Sequence, residues 1–336
     1  MITLALFGIP DAVGGAATKV ADLLRLLHGR VRVDVVLSNR TQRTSTERFL
    51  RASGLATVAT ILRADVRRGS HSVALGVCDV SLFMNEIPEH LNDQGIPLVW
   101  SNDMMWEFKG EADAVRRGLI DRVIFVSDPQ RRVFANVYAG VEQRLIPNYV
   151  APDLFPCQER RNRTFSIGRL SRPDPVKYPV DFPVFYEELG FEDVRYRVQA
   201  WSEELRKKYA WHRFGPEWEL LPTNKMSAAE FLASLDLFVY PLGHQVVESW
   251  GRSTVEAMLT GCVPLVPKGH NFENMMVHGE SGFICDSFSE FRSVARELYR
   301  NRALREQIGR HAAHHARSVL CDEHEHRRMW IDALTF

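Results

Sequence analysis

Glu248 and Glu256 lie eight residues apart in VVESWGRSTVEAMLTGCVPLVP. Gly251 separates a loop carrying the first carboxylate from a helix whose opening turn carries the second, and a buried strand, VPLVP, follows Gly261 and Cys262. Two acids therefore face one helix N-terminus. Its unpaired N–H groups and positive dipole end suit a diphosphate, and the acids beside it can grip hydroxyls. Ser253 to Glu256 also reads as a capping box, Ser253 bonding the N–H of Glu256 and the glutamate reaching back, which by itself accounts for Glu256.

Cations stand where such an anion would need them. The segment SIGRLSRPDPVKYP places Arg169, Arg172 and Lys177 on one strand and the loop after it, and Pro173 and Pro175 exclude helix between them. Ordinary surface charge is the plainer reading of this loop; a diphosphate is the chemical one. Fixed guanidinium and ammonium groups with a helix N-terminus can stabilise a departing diphosphate without a divalent ion. No D-x-D occurs, and no acidic pair is placed to hold magnesium, so no metal or other cofactor is expected.

The remaining polar candidates are more scattered. Gly14 and Gly15 follow the first strand and open a helix, in a loop that matches neither G-x-G-x-x-G nor G-x-x-x-x-G-K-[ST]. That argues against dehydrogenase and P-loop NTPase chemistry. Asn102 and Asp103, in VWSNDMMWEF, end a strand where polar groups can meet an acceptor, and His244 lies in the loop leading to Glu248. Thr223 and Asn224, in LLPTNKMS, follow another strand and can pass near a nucleotide base. His311, His314, His315, His324 and His326 read as exposed helix surface, since helical spacing makes neighbours without making ligands.

Elements that could position these groups alternate between short apolar runs and amphipathic stretches, the pattern of parallel sheets covered by helices. Strands are expected at ITLALFG, VRVDVVLSN, DVSLFMN, PLVWSN and DRVIFVS, with helices near residues 15–28, 41–53 and 128–139. LIPNYVAPDLFP then stays extended through Pro147, Pro152 and Pro156. A second series follows at TFSIGRL, YRVQAW, WELLPTN, DLFVYP, VPLVP and GFICDS, with helices at SAAEFLASL and STVEAMLTG. The fold class is α/β, two doubly wound domains over 1–150 and 151–319, with a ligand cleft expected at the carboxyl ends of their strands. Residues from Phe288 to Ala333 read as helical throughout, with Arg292, Arg296, Arg300, Arg302 and Arg305 as a solvated basic face that can also touch anionic lipid.

A chain of 336 residues suffices for two such cores, and 42 basic against 42 acidic residues leave no net field to attract nucleic acid. Five cysteines without C-x2-C pairing fit reduced thiols in the cytoplasm, and the N-terminal apolar run stops at Gly8, too short for a signal peptide or a spanning helix.

The run Glu248-Ser249-Trp250-Gly251, then Glu256-Ala257-Met258, then Gly261-Cys262-Val263-Pro264 resembles the E-x7-E region of GT-B retaining glycosyltransferases of the family 4 type. Gly168-Arg169-Leu170 followed by a lysine, and Ile146-Pro147-Asn148, resemble two further segments of that family in the same order. The resemblance implies transfer of a sugar from a nucleotide diphosphate sugar to an acceptor hydroxyl of a glycan, lipid or small molecule. It implies that Glu256 holds the donor ribose and Glu248 the transferred sugar. The N–H groups of Gly251, Arg252 and Ser253 would hold the distal phosphate, Arg169 and Lys177 (with Arg172 able to share or take the role) would neutralise the pyrophosphate, and Gly14-Gly15 would face donor phosphates and acceptor. It also implies a last helix, about residues 320–336, that returns to the first domain. Many relatives carry a histidine where Ser101-Asn102-Asp103 stands here, which keeps a non-catalytic sugar-nucleotide-binding protein in view. A phosphorylase or sugar-phosphate synthase would need added cations near Gly15, where only Lys19 is available.

Overall fold

The computed structural model describes residues 2–12, 14–159 and 164–336. The chain divides into two compact units, Met1–Ala151 with Asp322–Phe336, and Pro152–Cys321. Among the described residues, the first unit holds a seven-stranded sheet: β1 (Thr3–Phe7), β2 (Arg32–Leu37), β3 (Ala59–Leu62), β4 (Val73–Val77), β5 (Leu98–Ser101), β6 (Arg122–Phe125) and β7 (Glu142–Leu145). The second holds six strands: β8 (Phe165–Leu170), β9 (Val194–Gln199), β10 (Trp218–Leu221), β11 (Leu237–Val239), β12 (Val263–Pro267) and β13 (Phe283–Cys285). Every pairing between these strands is parallel.

The strand orders are β3-β2-β1-β4-β5-β6-β7 and β10-β9-β8-β11-β12-β13. Both are doubly wound, as the alternation of runs implies. Each order reverses once, between β1 and β4 and between β8 and β11, and open α/β sheets bind ligands outside the carboxyl ends of strands at such reversals. The central strands read as unbroken apolar runs because helices cover both faces: Leu4, Ala5 and Leu6 of β1 are fully buried, as are Leu237, Phe238 and Val239 of β11. An aromatic-rich core that includes Tyr178, Phe182, Tyr186, Trp201 and Trp218 packs against the second sheet.

Several local expectations need correction. DVSLFMN is not a strand: Ser81–Met84 is a short helix, and the strand is Val73–Val77 just before it. Gly76 interrupts that apolar run because it lies under Trp100, where a Cβ would stand 2.7 Å from the ring. The helix near 128–139 is only Asp128–Val133, started by Ser127, whose side chain accepts from the N–H of Gln130. The short edge strand β7 is exposed throughout and carries no apolar run to mark it, and β3, with ATIL, is only four residues long and partly buried.

Residues 288–333 form separate pieces: Phe288–Arg300, Arg302–His315, a π-helical turn Ala316–Leu320, and Glu323–Ala333. Asn301 and Asp322 restart the helix by accepting from the N–H groups of Leu304 and Glu325. The basic residues do not form one solvated face. Arg296 donates to the Leu189 carbonyl at 2.8 Å, and Arg305 is paired with the buried Asp236 at 3.4 Å, because long guanidinium stems reach acceptors at the sheet margin. His326, expected at the surface, is buried with its ring 5.4 Å from Tyr149.

Helix Glu323–Ala333 packs within the first unit. Trp330 and Leu334 are buried there, the Lys19 ammonium lies 5.6 Å over the Trp330 ring, and Arg327 donates to the Leu26 carbonyl at the end of helix Gly15–Leu27. Met329 stays partly exposed. Among the described residues no helix is long and apolar enough to cross a membrane.

Candidate active site

Three loops of the second unit converge beyond neighbouring strands. Residues 171–178 follow β8, 240–251 follow β11 and 268–274 follow β12, so they straddle the reversal of the sheet. Gly243 allows the first two to touch: a Cβ there would lie 2.2 Å from the Val176 carbonyl oxygen. Through this contact the sequence-distant residues Lys177 and Glu248 meet.

The Lys177 ammonium lies 2.9 and 3.2 Å from the two carboxylate oxygens of Glu248. Tyr240 donates its hydroxyl to the same carboxylate at 3.1 Å. Burial works against the charge on Lys177, but Tyr240 and Glu248 outweigh it and hold the ammonium above its ordinary pKa. Burial, then Glu248, raises the Tyr240 phenol, which keeps it a donor. The Glu248 N–H in turn donates to Nδ1 of His270 at 3.2 Å. Neither Tyr240 nor His270 was anticipated from the sequence; Tyr240 reads there as the last residue of an apolar strand.

Arg169 was expected to be an open cation and is not. Its guanidinium is fully buried, donates to the Pro241 carbonyl at 2.7 Å and to Ser171 Oγ and the Lys177 carbonyl at 3.3 Å, and lies 3.8 Å from the Tyr178 ring centre and 4.5 Å from that of Tyr240. The physical reason is aromatic closure: Tyr178 and Tyr240 flank the flat guanidinium, which is weakly hydrated and accepts such burial. Arg169 therefore ties the Lys177 loop to the Glu248 loop. Arg172 remains exposed, with Asp174 at 3.8 Å.

Helix Arg252–Leu259 starts one residue before the expected capping box. Gly251 is its N-cap at φ 72°, and no side chain caps it. Ser253 is thus inside the first turn and Glu256 is beyond the capping position, so Glu256 pairs instead with Arg252, one turn back, at 2.7 Å. With no side-chain cap, the positive end of this helix faces the Glu248 loop, the kind of terminus that suits a diphosphate. An added Cβ at Gly251 would lie 2.5 Å from the Phe272 ring. Gly251→Ala should consequently cost about 1–2 kcal/mol from left-handed backbone strain alone, before the push on Phe272; a denaturant midpoint equal to wild type would contradict that. Thr223 and His244 are exposed on loops after β10 and β11.

In the first unit, Gly14 (φ 94°) and Gly15 open helix Gly15–Leu27, and among the described residues nothing beyond the adjoining backbone lies within 4 Å of where either Cβ would be. Lys19, one turn on, is buried and bonded to Asp103 at 2.6 Å and Ser101 Oγ at 2.9 Å. Asp103, at φ 62°, keeps a little exposure at the end of β5. Asn102 does not meet an acceptor as expected: it is fully buried, donating to the Trp106 carbonyl and to Glu111 and accepting from the Met104 N–H at 2.9 Å. Glu111 needs that amide, since it also accepts from Trp100, the Phe108 N–H and Tyr138. Asn102 shapes the loop, and Asp103 is the group left at its edge.

Residues 193–315 match the family model of glycosyl transferases group 1. The matched stretch lies wholly within the second unit. The whole chain superposes on Anabaena HepE in complex with UDP-glucose with TM-score 0.77 at 16% identity, covering 99% of each chain. It superposes on a mutant of S. aureus TarM in complex with fondaparinux, alpha-GlcNAc-glycerol and UDP with TM-score 0.75 at 10% identity, covering 100% of each. Sucrose-phosphate synthase from Thermosynechococcus elongatus gives TM-score 0.71 at 13% identity over 99% of this chain and 98% of that one. These likenesses establish the GT-B fold. A comparison with curated protein sequences returns no match. The group 1 match thus lies inside a chain whose whole length has the GT-B fold.

Proposed function

We propose that this chain transfers a sugar from a nucleoside diphosphate sugar to an acceptor hydroxyl, with retention at the anomeric carbon and without a divalent metal. The observation that carries the reading is the Lys177–Glu248 pair at the sheet reversal, beside the first turn of helix Arg252–Leu259, which no side chain caps. The Gly251, Arg252 and Ser253 N–H groups hold the distal phosphate. Glu256 holds the ribose hydroxyls and Glu248 the sugar hydroxyls. Lys177 supplies the charge that a leaving diphosphate requires as the anomeric C–O bond breaks. The acceptor oxygen attacks from the face the diphosphate leaves, and its proton passes to a departing phosphate oxygen. Asp103 and the Gly14-Gly15 turn are the first unit's candidates for contact with the acceptor. Exposed Arg172, Thr223 and His244 are placed on loops that can reach donor or acceptor.

A uridine donor is the first to test, because HepE and TarM were each solved with UDP or a UDP-sugar. Phosphorylase or sugar-phosphate synthase chemistry is less well supported, since Lys19, the cation it would draw on, is already committed to Asp103. The free thiols of all five cysteines suit a reducing, cytoplasmic setting. Thermal unfolding against uridine, guanosine and adenosine diphosphates and their sugars tests the reading. A ligand at a hundred times its Kd should stabilise by about 2.7 kcal/mol, a shift of a few degrees. No shift with any nucleotide would reject the donor site.

A further inference from the structure

We propose that His270 is a positioning residue for Glu248, its neutral imidazole anchoring the backbone of the residue whose carboxylate grips the transferred sugar. The inference rests on the donor reading above and adds a residue to it. Glu248 sits in a loop without regular secondary structure, where no strand or helix ladder satisfies its N–H. Nδ1 of His270 does so at 3.2 Å. An imidazole nitrogen accepts only through its lone pair, so the neutral ring carries its proton on Nε2.

The loop that holds His270 is built for this contact. The Gly269 N–H donates to Glu273 at 2.9 Å, and the next aromatic, Phe272, is fully buried. Phe272 lies 5.7 Å from the His270 ring, meets Tyr240 edge-on at 6.4 Å and closes over Gly251. One loop after β12 therefore touches the backbone of Glu248, the tyrosine bonded to its carboxylate, and the N-cap of the phosphate-facing helix. Charged groups around the ring are Glu248 from the loop after β11 and Glu273 from its own loop. Burial disfavours the imidazolium and outweighs both, so the ring's pKa lies below its ordinary value. Protonation would set N–H against N–H and release the Glu248 backbone.

Glu248 serves the sugar rather than the nucleotide, which makes the test selective. His270→Phe keeps ring volume without an acceptor; His270→Asn restores an acceptor oxygen near the Nδ1 position. Affinities of both variants and wild type are measured by calorimetry for uridine, guanosine and adenosine diphosphates and for their glucose esters. For the base that binds, His270→Phe should weaken the glucose ester roughly three- to tenfold, the worth of one hydrogen bond, and leave the diphosphate unchanged. His270→Asn should recover most of that loss. Between pH 7 and 5 the wild-type preference for the ester should shrink, while that of His270→Asn stays level. Equal loss of both ligands, no loss, or the same pH dependence in His270→Asn would overturn the positioning role alone. A wild-type chain that binds none of the nucleotides would reject the donor reading and this inference with it.

Discussion

Lys177→Ala and Glu248→Gln are each expected to lower kcat/KM by about a hundred- to a thousandfold, the usual scale for losing one preorganised charge at a centre where charge develops. The two losses should divide differently. Lys177 acts on the leaving diphosphate, whose charge grows as the bond breaks, so its removal should fall mainly on kcat. Glu248 acts on sugar hydroxyls already present in the ground state, so its removal should raise KM as well. The two groups are bonded to each other at 2.9 Å, and each single variant leaves the other without its partner. The double variant should therefore be less damaged than the product of the singles. Steady-state kinetics on the singles and the double variant measure this directly, and strictly multiplicative effects would mean that the groups act independently.

Arg169→Ala should destabilise the second unit by roughly 3 kcal/mol or more, combining a cavity of aromatic size with unpaired buried carbonyls. Its guanidinium fills the space between Tyr178 and Tyr240 and holds the carbonyls of Pro241 and Lys177. Lysine cannot replace it, because an ammonium offers neither the flat stacking surface nor the fork of donors. Activity should fall as well, since the tie between the Lys177 and Glu248 loops is lost, but only together with the unfolding midpoint. A variant that kept wild-type stability while losing diphosphate affinity would return Arg169 to the role of a ligand cation.

The sequence made the doubly wound class legible, because runs such as TLALF and VPLVP are buried on both faces and carry no alternation to confuse. It also singled out Lys177 and Glu248, which the structure brings within 2.9 Å of each other, and Glu256, which lies inside helix Arg252–Leu259 paired with Arg252. What it could not convey was the fate of a polar residue once aromatic neighbours close over it. Arg169 stands near the end of β8 just as an open cation would, and only Tyr178 and Tyr240, nine and 71 positions away, make it a buried tie. Asn102 is claimed in the same way by Glu111. His270 was invisible because β12 lies beside β11 in the sheet, which brings together residues 22 positions apart.

Helix Glu323–Ala333 belongs to the first unit although all of Pro152–Cys321 intervenes. During synthesis, the ribosome delivers the second unit entire before it delivers the last piece of the first. Leu26 and Lys19 must wait for Arg327 and Trp330 through some 300 residues of translation, about fifteen to sixty seconds at ordinary elongation rates. The nascent first sheet is thus the part most exposed to chaperones and proteases. The order of completion on the ribosome is the reverse of the order in which the two units begin.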